Sequence, residues 1–300
     1  MEPVAAFLHY LEFEKRYSPH TLEAYRSDLM QFQDFLEAEE GLVRETAFSE
    51  ADATLVRAWL MKLMESGISA RSVNRKITAL KAFYKFSVHN GKLNYNPMLK
   101  VVSPKIPKRL PEYVEASKLD QLLDHVEFGD DHDGVLAKLV LELFYGTGMR
   151  RAELIGLKLS DWEAGPQQLR VTGKRNKQRI VPVFPNLAEL LQQYMKHRNL
   201  LETQSDSLLL RADGTELYPE WVYRLVKRHL SLVSTQKKRS PHVLRHSFAT
   251  EMLNNGADLN AIKEVLGHAN LSATQVYTHN SFEKLRSTYT KAHPRGTRKD

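Results

Sequence analysis

Apolar residues recur at helical spacing through most of this chain. Val4, Phe7, Leu8 and Leu11 share one face, which predicts a helix over Met1–Arg16. Ser18-Pro19 opens a second, over Thr21–Glu39, with Leu22, Tyr25, Leu29, Phe32 and Leu36 as its stripe. A third is predicted near Asp52–Glu65, stopping at Gly67. The fourth, Ser69–His89, places Val73, Ile77, Leu80, Tyr84 and Val88 within a sector of about 80°. Further on, Ser117 is expected to cap a helix reaching about Val126. Another runs from Gly134 to Phe144 and ends at Gly146-Thr147-Gly148, and a short one spans Arg151–Leu157. The pattern then changes to period two. Gln168–Thr172 and Gln178–Val183 read as strands joined by a hairpin turn, Gly173-Lys174-Arg175-Asn176-Lys177. Helical spacing returns over Asn186–Leu200 and Pro219–Val233.

The stretch Ser240–Asn280 carries the densest polar chemistry. Ser240-Pro241 is a helix start, with an N-cap hydroxyl and then proline where its missing N–H costs nothing. His242 lies in the first turn, beside free backbone N–H groups and the positive end of the helix dipole. Arg245 follows on the same face. Asn254-Asn255-Gly256 stops this helix, and Asp258 caps the next, which ends at Gly267-His268. Tyr277 comes one short segment later. Phe282, Leu285 and Tyr289 mark a final short helix, and Arg295–Asp300 reads as a disordered basic tail.

The whole is mainly α with a small antiparallel β-sheet. Residues 91–111 form the domain boundary. They contain Pro97, Pro104, Pro107 and Pro111, and Lys92, Lys100, Lys105, Lys108 and Arg109 with no acidic residue. This gives a helical domain over 1–90, a basic extended linker over 91–111, and a second domain over 112–300 whose last helix is placed at 281–293.

Composition narrows the function. With 300 residues and 42% hydrophobic content, a real core is assured. The net charge of +7 and pI near 9.3 favour a polyanionic partner without requiring one. The chain has no cysteine, which excludes disulfides, thiolate metal sites and a cysteine nucleophile. It has no run of about 18 apolar residues and no signal-peptide pattern at its N-terminus. The expectation is a cytoplasmic protein with no membrane association. Charge patterning singles out the fourth helix. Arg71, Arg75, Lys81 and Lys85 lie opposite its apolar stripe, within about 120°. A solvated surface normally mixes signs; this stripe is all basic, which fits contact with a phosphate backbone.

Phosphoryl transfer on a diester needs fixed cations for the non-bridging oxygens, an in-line nucleophile and an acid for the leaving oxygen. Arg150, Lys174, His242, Arg245, His268 and Tyr277 supply these types. Each has a plainer reading. Arg150 with Glu153 makes an i,i+3 ion pair, and Lys174 a solvated hairpin tip. His242 and His268 serve as helix-end groups, and Tyr277 as a core tyrosine. His242 and His246 also have the i,i+4 spacing of a zinc site. But Val243 stands where metalloproteases carry glutamate, and Arg245 would set a fixed cation beside the metal. Neither a metal nor a cofactor is expected.

Five motifs occur in order: Gly148-Met149-Arg150-Arg151-Ala152-Glu153-Leu154, Gly173–Lys177, His242-Val243-Leu244-Arg245-His246, Leu266-Gly267-His268 and Tyr277-Thr278-His279. Together they resemble the tyrosine recombinases of the phage-integrase family, and among these the bacterial Xer recombinases. The likeness covers nearly the whole chain, including Ser18-Pro19-His20-Thr21 and Tyr25. It implies a two-domain C-shaped clamp on a double-stranded DNA recombination site. Arg150 and Arg245 would hold the scissile phosphate and Glu153 would orient Arg150. Lys174 would protonate the leaving 5′ oxygen, His242 would exchange a proton with the tyrosine, and His268 would bond the phosphate. Tyr277 would be the nucleophile. The resemblance further implies a homo- or hetero-tetramer on two sites, linked by exchange of the C-terminal helix. It leaves room for a partner recombinase and a DNA translocase. Arg151 and Arg175 depart from the commoner family pattern, and Arg175 bears on the reach of Lys174. Resolution of chromosome or plasmid dimers is the leading expectation. Integration of a mobile element and non-catalytic DNA binding are the alternatives.

Overall fold

The computed structural model describes residues 3–106, 112–173, 176–267, 291–293 and 295. It divides into two units, Met1–Arg109 and Leu110–Asp300.

In the first unit, α1 (Pro3–His9) passes into a π-turn at Tyr10–Glu14. Then follow α2 (Pro19–Glu40), α3 (Ala47–Glu50), α4 (Ala53–Glu65) and α5 (Ala70–His89). Three of these begin where side-chain chemistry dictates. Ser18, Asp52 and Ser69 each accept a bond from a backbone N–H in the first turn, satisfying donors that the helix leaves orphaned. The core is aromatic: Phe7, Phe32, Phe48, Trp59, Phe83 and Tyr84 are all buried. Helix α3 was not expected, because four residues are too few to show periodicity.

The basic stretch beyond α5 is not extended throughout. Pro97–Lys100 forms a 3₁₀ turn capped by Asn96, and Met98 and Val101 are buried in the first unit's core. Its prolines forbid α-helix but not a turn that begins on one. Residues 107–111 lie outside the described residues.

One interaction in this unit is costly to break. Asp28 on α2 is fully buried and accepts from Lys76 Nζ at 2.8 Å and from the Arg75 guanidinium. Lys76 is itself buried, 5.8 Å from the centre of the Trp59 ring. Arg75 has a side chain 44% exposed.

The second unit is built around α7 (His132–Thr147), which is apolar on nearly all sides and buried along most of its length. It is preceded by α6 (Ala116–Asp120), which continues as a π-turn over Gln121–His125. This helix starts at Ala116 after Glu115, two residues earlier than a Ser117 cap would have placed it. Gly148 ends α7 at φ +60°, and α8 (Arg151–Ile155) starts almost at once. A Cβ at Gly148 would stand 2.5 Å from Phe248 Cδ1 and 2.7 Å from Leu266 Cδ2, so this turn is closed on two later helices.

The sheet is antiparallel, in the order β1 (Trp162–Glu163), β2 (Gln168–Thr172), β3 (Gln178–Pro182). Leu169 pairs with Val181, and Val171 with Arg179. β1, two residues long, was not expected. Helices α9 (Pro185–Arg198), α10 (Pro219–Val233), α11 (Pro241–Asn254) and α12 (Leu259–Leu266) complete the unit. Asp258 caps α12 as its sequence requires, accepting from the N–H groups of Asn260 and Ala261. Ser240 differs: its backbone is extended and its hydroxyl makes no capping bond, so the start of α11 rests on Pro241.

The described C-terminal residues pack on this unit. Ala292 and His293 are buried, and His293 Nε2 lies 3.2 Å from the Tyr145 carbonyl. Arg295 pairs with Asp124 at 2.8 Å and Glu142 at 2.9 Å, so it is docked and not part of a free tail. The predicted helix at 281–293 lies outside the described residues as far as 290. Among the described residues, no helix is long and apolar enough to cross a membrane.

Asp28→Ala strands Lys76 as a buried, unpaired charge. The expected loss is about 3–5 kcal/mol of unfolding free energy, read from urea denaturation followed by circular dichroism. A loss under about 1 kcal/mol would show that Lys76 reaches solvent in the native state.

Candidate functional site

Three chain segments, distant in sequence, meet at the C-terminus of α12. The last carbonyls of a helix have no partner within it. Here guanidinium groups supply them. Arg179 Nε donates to the Val265 carbonyl at 2.6 Å, and Arg245 donates to the Leu266 carbonyl at 2.7 Å. Arg150 reaches the Leu266 and Gly267 carbonyls, each at 3.4 Å. Cations at a helix C-terminus also meet the negative end of its dipole.

Arg150 occupies the N-cap position of α8. Glu153, three residues on, reaches back to accept its backbone N–H at 2.8 Å and its guanidinium at 2.8 Å. The i,i+3 pair predicted from sequence is therefore present, but it is no surface pair: Glu153 is 6% exposed. Its other partner is Arg179 on β3, at 2.8 Å. Burial pushes the Glu153 carboxyl up. The hydrogen bond and charge of Arg179, then the bonds from Arg150, outweigh burial and bring it down to about 2.

Arg245 lies on α11 and is buried, held by the carbonyls of Gly148 and Leu266. Burial, then the Arg150 charge beside it, lowers its guanidinium to about 10, still charged at neutral pH. His242, three residues before Arg245 on the same helix, is exposed at the surface. Partial desolvation, then the charges of His246, Arg245, Arg151 and Arg150, pull its imidazole below the usual value. It is neutral at pH 7 and able to accept a proton.

The structure thus brings Arg150, Arg245 and His242 into one electrostatic cluster. Lys174, His268 and Tyr277 lie outside the described residues. Gly173, which precedes Lys174, can be placed: a Cβ on it would stand 3.2 Å from Glu153 Oε1. Arg179 was not foreseen. The signal was available, because it occupies an inward position in a strand alternating with Val181, and a buried arginine demands an anionic partner. Among the described residues, no group of three or more His, Cys, Asp or Glu is placed to hold a metal ion.

Two further cationic surfaces are present. On α5, Arg71, Lys81 and Lys85 are exposed, and so is Arg75 despite its bond to Asp28. On α10, Arg224, Lys227 and Arg228 are exposed, a set the amphipathic reading of that helix passed over. Arg151 ties α10 to α8 by donating to the Pro219 carbonyl at 3.2 Å.

Residues 112–284 match the phage integrase family, and residues 4–91 match the N-terminal SAM-like domain of phage integrases. This chain belongs to the phage integrase family. Curated relatives named tyrosine recombinase XerC include one from Chlorobaculum parvum, 38% identical over 96% of this chain and 93% of that protein. Another, from Listeria innocua, is 37% identical over 96% of each. Among solved structures, a XerH site-specific recombinase bound to palindromic difH substrate superposes with a TM-score of 0.70. It covers 90% of this chain and 79% of that one, at 22% identity. A lambda integrase dimer bound to a core site gives 0.65 over 91% and 99%, at 17% identity. At these identities the superpositions establish the fold, and the XerC relatives make the chain a Xer-like tyrosine recombinase.

The depressed Glu153 carboxyl links stability of the recombinase to pH. Its folded value lies below its unfolded one, so its contribution is full above about pH 4.5. It is lost as pH falls towards about 2. The Glu153→Gln variant is expected to be less stable at neutral pH by roughly 3 kcal/mol, with the difference vanishing by about pH 2. Thermal melts across that range measure it.

Proposed function

We propose that this protein is a site-specific DNA recombinase that breaks and rejoins strands through a covalent 3′-phosphotyrosyl intermediate on Tyr277. The observation that carries the reading is the convergence of Arg150 and Arg245, from different helices, on the single carbonyl of Leu266. Two guanidinium forks fixed this way present donors to the two non-bridging oxygens of one phosphate. Neither needs to reorganise during the reaction, since Glu153 and the Gly148 carbonyl already fix them.

The Tyr277 oxygen attacks phosphorus in line, and its proton passes to His242, held neutral by partial desolvation and then by its cationic neighbours. The bond from phosphorus to the 5′ oxygen breaks. Lys174, next after Gly173 in the chain, delivers a proton to that oxygen, and His268 donates to the phosphate. One phosphodiester replaces another of similar energy. A 5′ hydroxyl from a second strand then reverses the step, with no ATP, metal or cofactor.

The exposed cations of α5 in the first unit and of α10 in the second neutralise backbone phosphates of the bound duplex. The working assembly is a tetramer on two recombination sites, formed with copies of this chain or with a second recombinase, and engaged through the C-terminal segment. Resolution of chromosome or plasmid dimers in the cytoplasm, coupled to chromosome partition and cell division, fits the XerC relatives best. Their identity of 37–38% extends over almost the full chain.

Tyr277→Phe is expected to bind duplex DNA as the parent does and to form no covalent adduct on a nicked suicide substrate. An adduct in the Phe variant, resolved on denaturing gels, would assign the nucleophile elsewhere. On α5, replacing Arg71, Lys81 or Lys85 by Ala is expected to weaken binding alike on all sequences. The salt slope should fall by about 1 per residue. An unchanged slope in filter binding would remove that helix from the interface.

A further inference from the structure

Glu153 poses an electrostatic problem. A carboxylate bonded twice to Arg150 orients it, but it also cancels the positive charge that a phosphate requires. At the 2.8 Å separation seen here, an isolated pair would present almost no net charge. Arg179 resolves this. Its Nη2 donates to Glu153 Oε2 at 2.8 Å, so one anion is shared between two cations. The trio carries one net positive charge. Arg179 is 6% exposed, whereas the Arg150 side chain is 38% exposed, so the surplus faces outward through Arg150.

Arg179 does a second thing through its Nε. It holds the Val265 carbonyl at 2.6 Å, one residue before the carbonyl on which Arg150 and Arg245 meet. The contact is tight: a Cβ on Gly267 would stand 3.2 Å from Arg179 Nη1. Strand β3, the N-terminus of α8 and the end of α12 are thereby pinned to one side chain. His268 follows that end directly in the chain, and the strand carrying Arg179 pairs with β2, which ends two residues before Lys174.

We propose that Arg179 is a positioning residue for strand cleavage. It neutralises Glu153 so that Arg150 meets the scissile phosphate as a net cation, and it anchors the end of α12 against β3. It touches no reacting atom. The proposal rests on the reading of Arg150 as a phosphate ligand.

The test is a charge-rescue cycle scored by single-turnover cleavage of a nicked suicide duplex, with melting temperature and duplex binding measured for every variant. Wild type and Tyr277→Phe run alongside. Absence of a wild-type adduct would defeat the recombinase reading itself, whatever the Arg179 variants do. With wild type active, Arg179→Met is expected to cleave about 100-fold more slowly, the scale on which removing one fixed donor acts on such transition states. The double variant Glu153→Gln/Arg179→Met deletes the anion with its partner. It is expected to recover at least about tenfold over Arg179→Met, a non-additivity that a scaffold role would not produce. Arg179→Lys keeps the charge while losing the guanidinium fork, and is expected within about tenfold of wild type. This variant also decides the matter should Arg179→Met fail to fold. Wild-type cleavage by Arg179→Met would overturn the proposal. So would a folded double variant no faster than Arg179→Met, or a folded Arg179→Lys as slow as the Met variant.

Discussion

The second unit depends on a buried carboxylate. Glu153 is withdrawn from water, and an ionised acid there is tolerable only if fully partnered. Its partners come from its own helix N-terminus and from a strand 26 residues away. Satisfying one anion therefore fixes the angle between α8 and the sheet. The same arginines then turn to the carbonyls at the end of α12, which a helix leaves bare. The local requirement of a helix terminus and the global requirement of a buried charge are met by one set of side chains. The arginines of the proposed site are thereby fixed by folding itself.

Much of this was legible in the chain because it follows from local rules. Ser18 and Asp258 mark helix starts by their capping chemistry and the structure places caps at both, whereas the caps expected at Ser117 and Ser240 are not made. Gly148 and Gly267 mark stops, and both adopt the left-handed conformation. The Arg150–Glu153 pair follows from i,i+3 spacing. What was not legible is tertiary. The partner of Arg179 lies on α8, 26 residues earlier in the chain, and no local pattern names it. Met98 and Val101 sit in a proline-containing basic stretch whose composition reads as a linker, yet burial recruits them to the core. Arg295 finds three carboxylates on elements 150 or more residues earlier, which a terminal basic run does not advertise. Elements of two and four residues, β1 and α3, carry too little pattern to be read at all.

The two units share a device that no sequence comparison between them would suggest. In each, a buried acid grips two cations, one inside and one facing out. Asp28 holds buried Lys76 and half-exposed Arg75; Glu153 holds buried Arg179 and Arg150, 38% exposed. The inner cation balances the acid, and the outer one keeps its charge while losing its freedom. A free surface arginine pays rotamer entropy when it meets a phosphate; one already held by a buried carboxylate has lost that freedom on folding. On this physical ground Arg75 belongs with Arg150 as a preorganised cation, even though its bond to Asp28 first reads as charge already spent. The basic stripe of α5 is then not uniform. Under the proposed DNA contact, the exposed Arg71, Lys81 and Lys85 would contribute mainly field strength, and Arg75 direction.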